Sequence, residues 1–166
     1  MFIAVVAIVA VATLVIARAR PGNGGPDLPA DVGVVDFVID GDTIDIEIGG
    51  RHERVRLIGI DTPETYVEDG PPECYGPEAS EFMRTLLPVG TEVRLTRDVV
   101  GRDDYGRLLA YVYRRDDDLF VNEAIVAAGY ARPMTIRPND AYSPRFVAQA
   151  TAAEAADLGL WRACAG

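Results

Sequence analysis

Acids and arginines interrupt this sequence where an apolar strand would be expected to continue. Asp40 and Asp42 lie in Ile-Asp-Gly-Asp-Thr (39–43), Arg56 follows Val55, and Asp61 and Glu64 lie in Asp-Thr-Pro-Glu-Thr (61–65). Tyr105-Gly106-Arg107 adds a second arginine further on. Asp42 and Asp61 are hard oxygen donors of the kind that hold Ca²⁺ or Mg²⁺, and the backbone carbonyl of Thr62 can complete the protein's share. Two carboxylates are too few for a closed structural cage, which suits a cation shared with a substrate. Arginine forks match phosphate oxygens. Hydrolysis of a phosphate ester needs charge neutralised, a water positioned and its proton accepted. The residues predict that chemistry, with Glu64, held by the turn at Pro63, as the proton acceptor. Two plainer alternatives stay open: Glu64 as an ordinary loop glutamate, and Arg56 as the structural ion-pair partner of Asp61.

The elements that must carry these groups are legible from periodicity. From Gly33 to Leu57 apolar residues alternate with polar ones across a Gly49-Gly50 turn, which predicts a hairpin. Asp42 shares the parity of Ile44, Ile46 and Ile48, so it faces inward at the mouth of its strand, whereas Asp45 and Glu47 face solvent. Helical spacing runs from Gly76 to Leu87, with Pro77 near the first position, where its missing N–H is harmless. Strands are expected over Glu92–Val99 and Leu108–Tyr113, and helices over Phe120–Ala128 and Phe146–Leu158. The Asp116-Asp117-Asp118 run reads as a polar loop. Five short strands with about three helices predict an α+β, mainly β, small barrel.

Residues 1–17 form an almost unbroken apolar run followed by Arg18, Arg20 and a Pro/Gly-rich stretch. The run predicts an N-terminal hydrophobic helix serving as signal peptide or membrane anchor. Residues 1–20 are that leader, 21–30 a linker and 31–166 one domain. A leader of either kind places the domain outside the cell or tethered to a membrane. The cysteine pair, Cys74 and Cys164, reads as a disulfide and so argues for export, with two unrelated buried thiols as the plainer alternative. With 26 acids against 16 basic residues, all arginine, the net charge is −10. That excludes a nucleic-acid binder relying on a broad basic surface, so a phosphate substrate must be gripped locally.

The ordered motifs Ile-Asp-Gly-Asp-Thr, Arg56, Asp-Thr-Pro-Glu-Thr, Tyr-Gly-Pro-Glu-Ala-Ser (75–80), Tyr-Gly-Arg, Ala-Tyr-Val-Tyr (110–113) and Val-Asn-Glu-Ala (121–124) resemble the staphylococcal nuclease family over about residues 33–162. The resemblance implies a five-stranded OB-fold barrel with three helices. It also implies a monomeric, Ca²⁺-dependent nuclease that hydrolyses DNA and RNA, above all single-stranded or denatured, to 3′-phosphate products. By position it makes Asp42, Asp61 and the Thr62 carbonyl calcium ligands, Glu64 the base, Arg56 and Arg107 the phosphate clamp, and Asp40 and Tyr105 supporting residues. A non-catalytic OB-fold module binding nucleic acid or protein is the rival reading. Departures cluster in substrate contact: the family's two stacking tyrosines fall at Met134 and Ile136, and a phosphate-contacting lysine falls at Asp104. They predict weaker binding with the chemistry intact.

Overall fold

The computed structural model describes residues 29–164; the expected N-terminal helix lies outside them. Strands β1 (Val32–Val38), β2 (Thr43–Ile48) and β3 (Arg51–Leu57) form an antiparallel meander. Their alternation buries Val35, Val38, Ile44, Ile46, Val55 and Leu57 on one side. The β2–β3 turn uses Gly49 and Gly50 at φ 58° and 73°, a conformation that costs glycine little. A shift of register between Val35 and Phe37 bends β1, the kind of irregularity that lets a sheet curl.

After the two-residue β4 (Ile60–Asp61) the chain enters α1 (Gly76–Leu86), which buries Ala79 and Met83, with Leu87 buried just beyond its end. Strands β5 (Glu92–Thr96) and β6 (Leu108–Arg114) then join the sheet in the order β3-β2-β1-β5-β6. Parallel pairing of β6 with β3, Val55 opposite Leu108 and Leu57 opposite Ala110, closes the five strands into a barrel. Closure removes the sheet edges.

The short β7 (Leu119–Phe120) leads into α2 (Val121–Ala127), and β8 (Arg132–Pro133) pairs with β4. Helix α3 runs Ser143–Ala155 and α4 Leu160–Ala163. The third helix therefore starts and stops three residues before the expected Phe146–Leu158. Pro144 fits its first turn, and the left-handed backbone at Asp157 and Gly159 ends the run. The first strand after α1 is likewise shorter than expected, ending at Thr96, where the chain leaves the sheet for the Asp98–Arg107 loop. Asp116 and Asp117 pair with Arg114, and Asp118 pairs with Arg94, so the acidic run is a solvated, ion-paired loop.

Two pairings gather the chemistry at one end of the barrel. Antiparallel β2/β3 register sets Thr43 against Arg56, bringing Asp42 beside the end of β3, where the Leu57 N–H donates to the Asp42 carbonyl at 2.8 Å. Parallel β3/β6 register sets Leu109 against Arg56, so Arg107, just before β6, arrives at the same end.

Candidate active site

Asp42 is buried, 6% exposed, as its parity with the isoleucines predicts. Its Oδ1 accepts from the Thr43 hydroxyl at 3.1 Å, and its Oδ2 accepts from the Thr62 N–H at 2.9 Å and hydroxyl at 3.1 Å. Gly41 makes this approach possible, since a Cβ there would sit 2.7 Å from the Thr62 side chain. Asp40 crosses back to accept from the Asp42 N–H at 2.9 Å. Burial pushes the Asp42 carboxyl up to about 7 against the pull of Arg56, and Asp40 adds to the rise.

Arg56 is the hub. Its Nη1 donates to the carbonyls of Leu57 at 2.7 Å and Ile60 at 3.0 Å. Its Nη2 lies 3.1 Å from both Asp42 Oδ2 and Asp61 Oδ1. The ion pair with Asp61 therefore exists, but as half of a shared arrangement: two carboxylates from separate elements converge on one positive group. Arg107 is held differently. Asp103 accepts from its N–H at 2.8 Å and from its Nε at 2.6 Å, and from the Tyr105 N–H at 3.1 Å. Burial works to raise the Asp103 carboxyl, and the Arg107 bonds outweigh it and hold it below the usual range. Among the described residues the Arg107 guanidinium is engaged only along its Nε edge. Tyr105 is 86% exposed, its ring centroid 5.5 Å from the Arg107 guanidinium carbon.

A cleft of about 580 Å³ is lined by Asp40, Asp42, Arg56, Glu64, Tyr105 and Arg107, among others. Asp61 and Thr62 meet it through Arg56 and Asp42. Glu64 stands exposed at its mouth. Partial burial raises the Glu64 carboxyl, with Asp40, Glu73 and Asp61 adding to the rise. Met134, Ile136 and Asp104, the positions where departures in substrate contact are expected, also line this cleft, and so does Arg137. Neither Asp103 nor Glu73 is singled out by sequence reasoning. Asp103 had a signal, its place four residues before Arg107, whereas Glu73, which accepts from the Glu64 N–H at 3.0 Å, had none. Cys74 and Cys164 are joined by a disulfide.

Among the described residues no three carboxylate, histidine or cysteine side chains gather into a cation cage of their own. The donor set nonetheless fits a hard divalent cation. Asp42 and Asp61 already converge on one positive centre, Arg56, and Asp40 and Asp61 lie near enough to Glu64 to raise its carboxyl, so negative charge gathers at this end of the cleft. Two carboxylates and a carbonyl leave room for water and substrate oxygens.

A family model described as staphylococcal nuclease homologue matches residues 54–163. The chain is 38% identical over 162 residues to a thermonuclease of Staphylococcus intermedius, covering 94% of this chain and 95% of the relative. It is 39% identical over 124 residues to a thermonuclease of Staphylococcus hyicus, covering 75% and 72%. Endonuclease YncB of Bacillus subtilis is 36% identical over 129 residues, 76% of this chain and 60% of the relative.

Proposed function

The chain belongs to the staphylococcal nuclease family and is a hydrolytic nuclease; from that premise we propose that it is a Ca²⁺-dependent phosphodiesterase cutting DNA and RNA to 3′-phosphate products. The observation that carries the reading is the convergence of Asp42, Arg56, Glu64 and Arg107 on one cleft, with Asp61 reaching it through Arg56. Asp42, Asp61 and the Thr62 carbonyl would hold the cation, with Asp40 supporting Asp42 through its backbone bond. A bound Ca²⁺ supplies charge neutralisation for the phosphate.

The remaining chemistry belongs to the chain. Arg56 and Arg107 donate to the non-bridging phosphate oxygens and offset the charge that grows there as the transition state forms. Glu64 accepts the proton of a water attacking phosphorus, and its raised affinity for protons makes it a better base than a free glutamate. As the water oxygen bonds to phosphorus the P–O5′ bond breaks: the 5′ oxygen leaves on one fragment and takes up a proton from solvent, and the phosphate stays on the 3′ oxygen of the other. Tyr105, exposed beside Arg107, offers its ring to the substrate at the cleft's edge. Met134 and Ile136 cannot stack as tyrosines would, so single-stranded or denatured nucleic acid is held more loosely than in the tyrosine-bearing pattern.

One observation favours the rival reading of a non-catalytic binding module: both terminal nitrogens of Arg56 already face protein acceptors. Release of acid-soluble nucleotides from denatured DNA separates the two. With Ca²⁺ present the protein should release them and with chelator it should not; Mg²⁺ supporting equal release would overturn the calcium assignment. No release from folded, Ca²⁺-loaded protein would leave the binding module.

The same reading has the protein act as a monomer, exported or anchored through residues 1–17, with residues 1–20 as leader, 21–30 as linker and 31–166 as the nuclease domain. The disulfide supports an oxidising location.

A further inference from the structure

Glu64 has no secondary structure of its own, so something else must fix its backbone. Glu73 meets it twice: the Glu64 N–H donates to the Glu73 carboxylate, and the Glu73 N–H donates to the Glu64 carbonyl, both at 3.0 Å. Gly76, whose N–H donates to the Glu73 carbonyl at 3.0 Å, packs against the same Glu64 carbonyl so closely that any side chain there would displace it. Residues 66–73, which close the loop between the two glutamates, are all exposed, and the β-bridge among them, Val67 with Gly70, is internal. The neighbour of Glu73 is Cys74, bonded to Cys164. That cysteine closes α4, its N–H donating to the Leu160 carbonyl at 2.9 Å, and the Leu160 N–H donates to the Gly129 carbonyl at 2.8 Å. A covalent and hydrogen-bonded line therefore runs from the protein body through the C-terminal turn to Glu73 and on to Glu64.

We propose that Glu73 is a positioning residue for Glu64 and that the Cys74–Cys164 disulfide holds it in register, so that turnover depends on the disulfide being formed. This rests on the reading of Glu64 as the base. A base misplaced by an ångström loses rate without losing substrate affinity, because it does not hold the phosphate.

The test is kcat and KM on denatured DNA for the full chain, oxidised and reduced, with Glu73→Gln, Glu73→Ala, Cys164→Ser and Glu64→Gln, circular dichroism confirming the fold of each. Glu73→Ala should lower kcat about tenfold or more with KM within about twofold. Glu73→Gln keeps an acceptor for the Glu64 N–H and should stay within about threefold of wild type. Reduction, or Cys164→Ser, should lower kcat in the same direction, and either change combined with Glu73→Ala should fall short of additive, as for groups acting through one element. On a Glu64→Gln background Glu73→Ala should change nothing further.

Wild-type kcat in Glu73→Ala, or in the fully reduced protein, would overturn the inference, as would equal losses for the Ala and Gln variants. Wild-type turnover in Glu64→Gln would instead remove the base assignment itself, so the two failures are told apart.

Discussion

Arg56 is the residue on which the two readings of the site divide, because its guanidinium lies within hydrogen-bond range of two carbonyls and two carboxylates at once. Lysine would keep the charge and lose the fork, reaching one acid or one phosphate oxygen at a time. Arg56→Lys is expected to lower kcat by about two to three decades, measured on denatured DNA with the fold checked by circular dichroism; a variant as fast as wild type would leave Arg56 a structural ion-pair residue. Glu64→Gln removes the proton acceptor and keeps the shape, so cleavage should fall by about two decades or more while thermal stability does not fall, since Glu64 is exposed and its charge is disfavoured by the acids around it. Asp42 was readable because its parity sets an acid among inward isoleucines, and Arg56 because an unpaired buried charge is too costly to be accidental. Glu73 was unreadable for an equally physical reason: it acts through one loop's closure, and neither composition nor periodicity records which loop residues meet.

Helix α2 is tied to the barrel by a side chain whose role no sequence pattern discloses. Asn122 is fully buried, accepts from the Val112 N–H at 2.8 Å and donates to the Ile58 carbonyl at 2.9 Å. It thereby completes the backbone of β6 and of the turn after β3, the two strands whose pairing closes the barrel. Asn122→Ala would strand two buried backbone groups and should cost about 3 kcal/mol, seen as a lower urea midpoint at unchanged slope; a loss under about 1 kcal/mol would mean that water replaces the amide. Helices α2 and α3 are joined by Glu123, whose carboxylate meets the Arg145 fork, with Nε at 2.6 Å, and accepts from Gln149 at 2.9 Å. Arg145 holds the Glu123 carboxyl below its ordinary value of 4.5. A depressed folded-state value means the contribution is complete above 4.5 and is lost as pH falls through the lower, folded value. Wild type should therefore lose more Tm than Glu123→Gln between about pH 6 and about pH 3; parallel losses would show the pair to be energetically silent. The barrel strands and α1 were legible because each satisfies its own period, but the α3 limits were not. Its alanine-rich sequence carries only a weak apolar stripe, so Pro144 and the backbone reversals at Asp157 and Gly159 decide where it begins and ends.

At the scale of the whole molecule, the net charge of −10 was plain from the sequence, but how little free positive charge remains is visible only once the partners are known. Arg54 pairs with Asp45, Arg94 with Asp118, Arg102 with Glu53, Arg114 with Asp117, Arg115 with Glu92 and Arg145 with Glu123. Ten of the fourteen arginines among the described residues face an acid in this way, and the solvent-exposed pairs add little stability each. A strand of nucleic acid entering the cleft meets Arg56, Arg102, Arg107 and Arg137, each already facing an acid, and the proposed phosphate clamp uses two of them, Arg56 and Arg107. Two phosphate contacts on a single strand correspond to a slope of about −1.4 in log affinity against log salt. Screening of the acidic surface's repulsion works the other way and makes the net slope shallower still. KM for denatured DNA, at constant Ca²⁺, should therefore rise less than about tenfold between about 50 and about 200 mM monovalent salt, where proteins making six to ten phosphate contacts lose about 10³–10⁵ in affinity. A rise as steep as theirs would mean that the strand breaks these surface pairs on binding and recruits their arginines, making the grip a property of the whole face and not of the cleft.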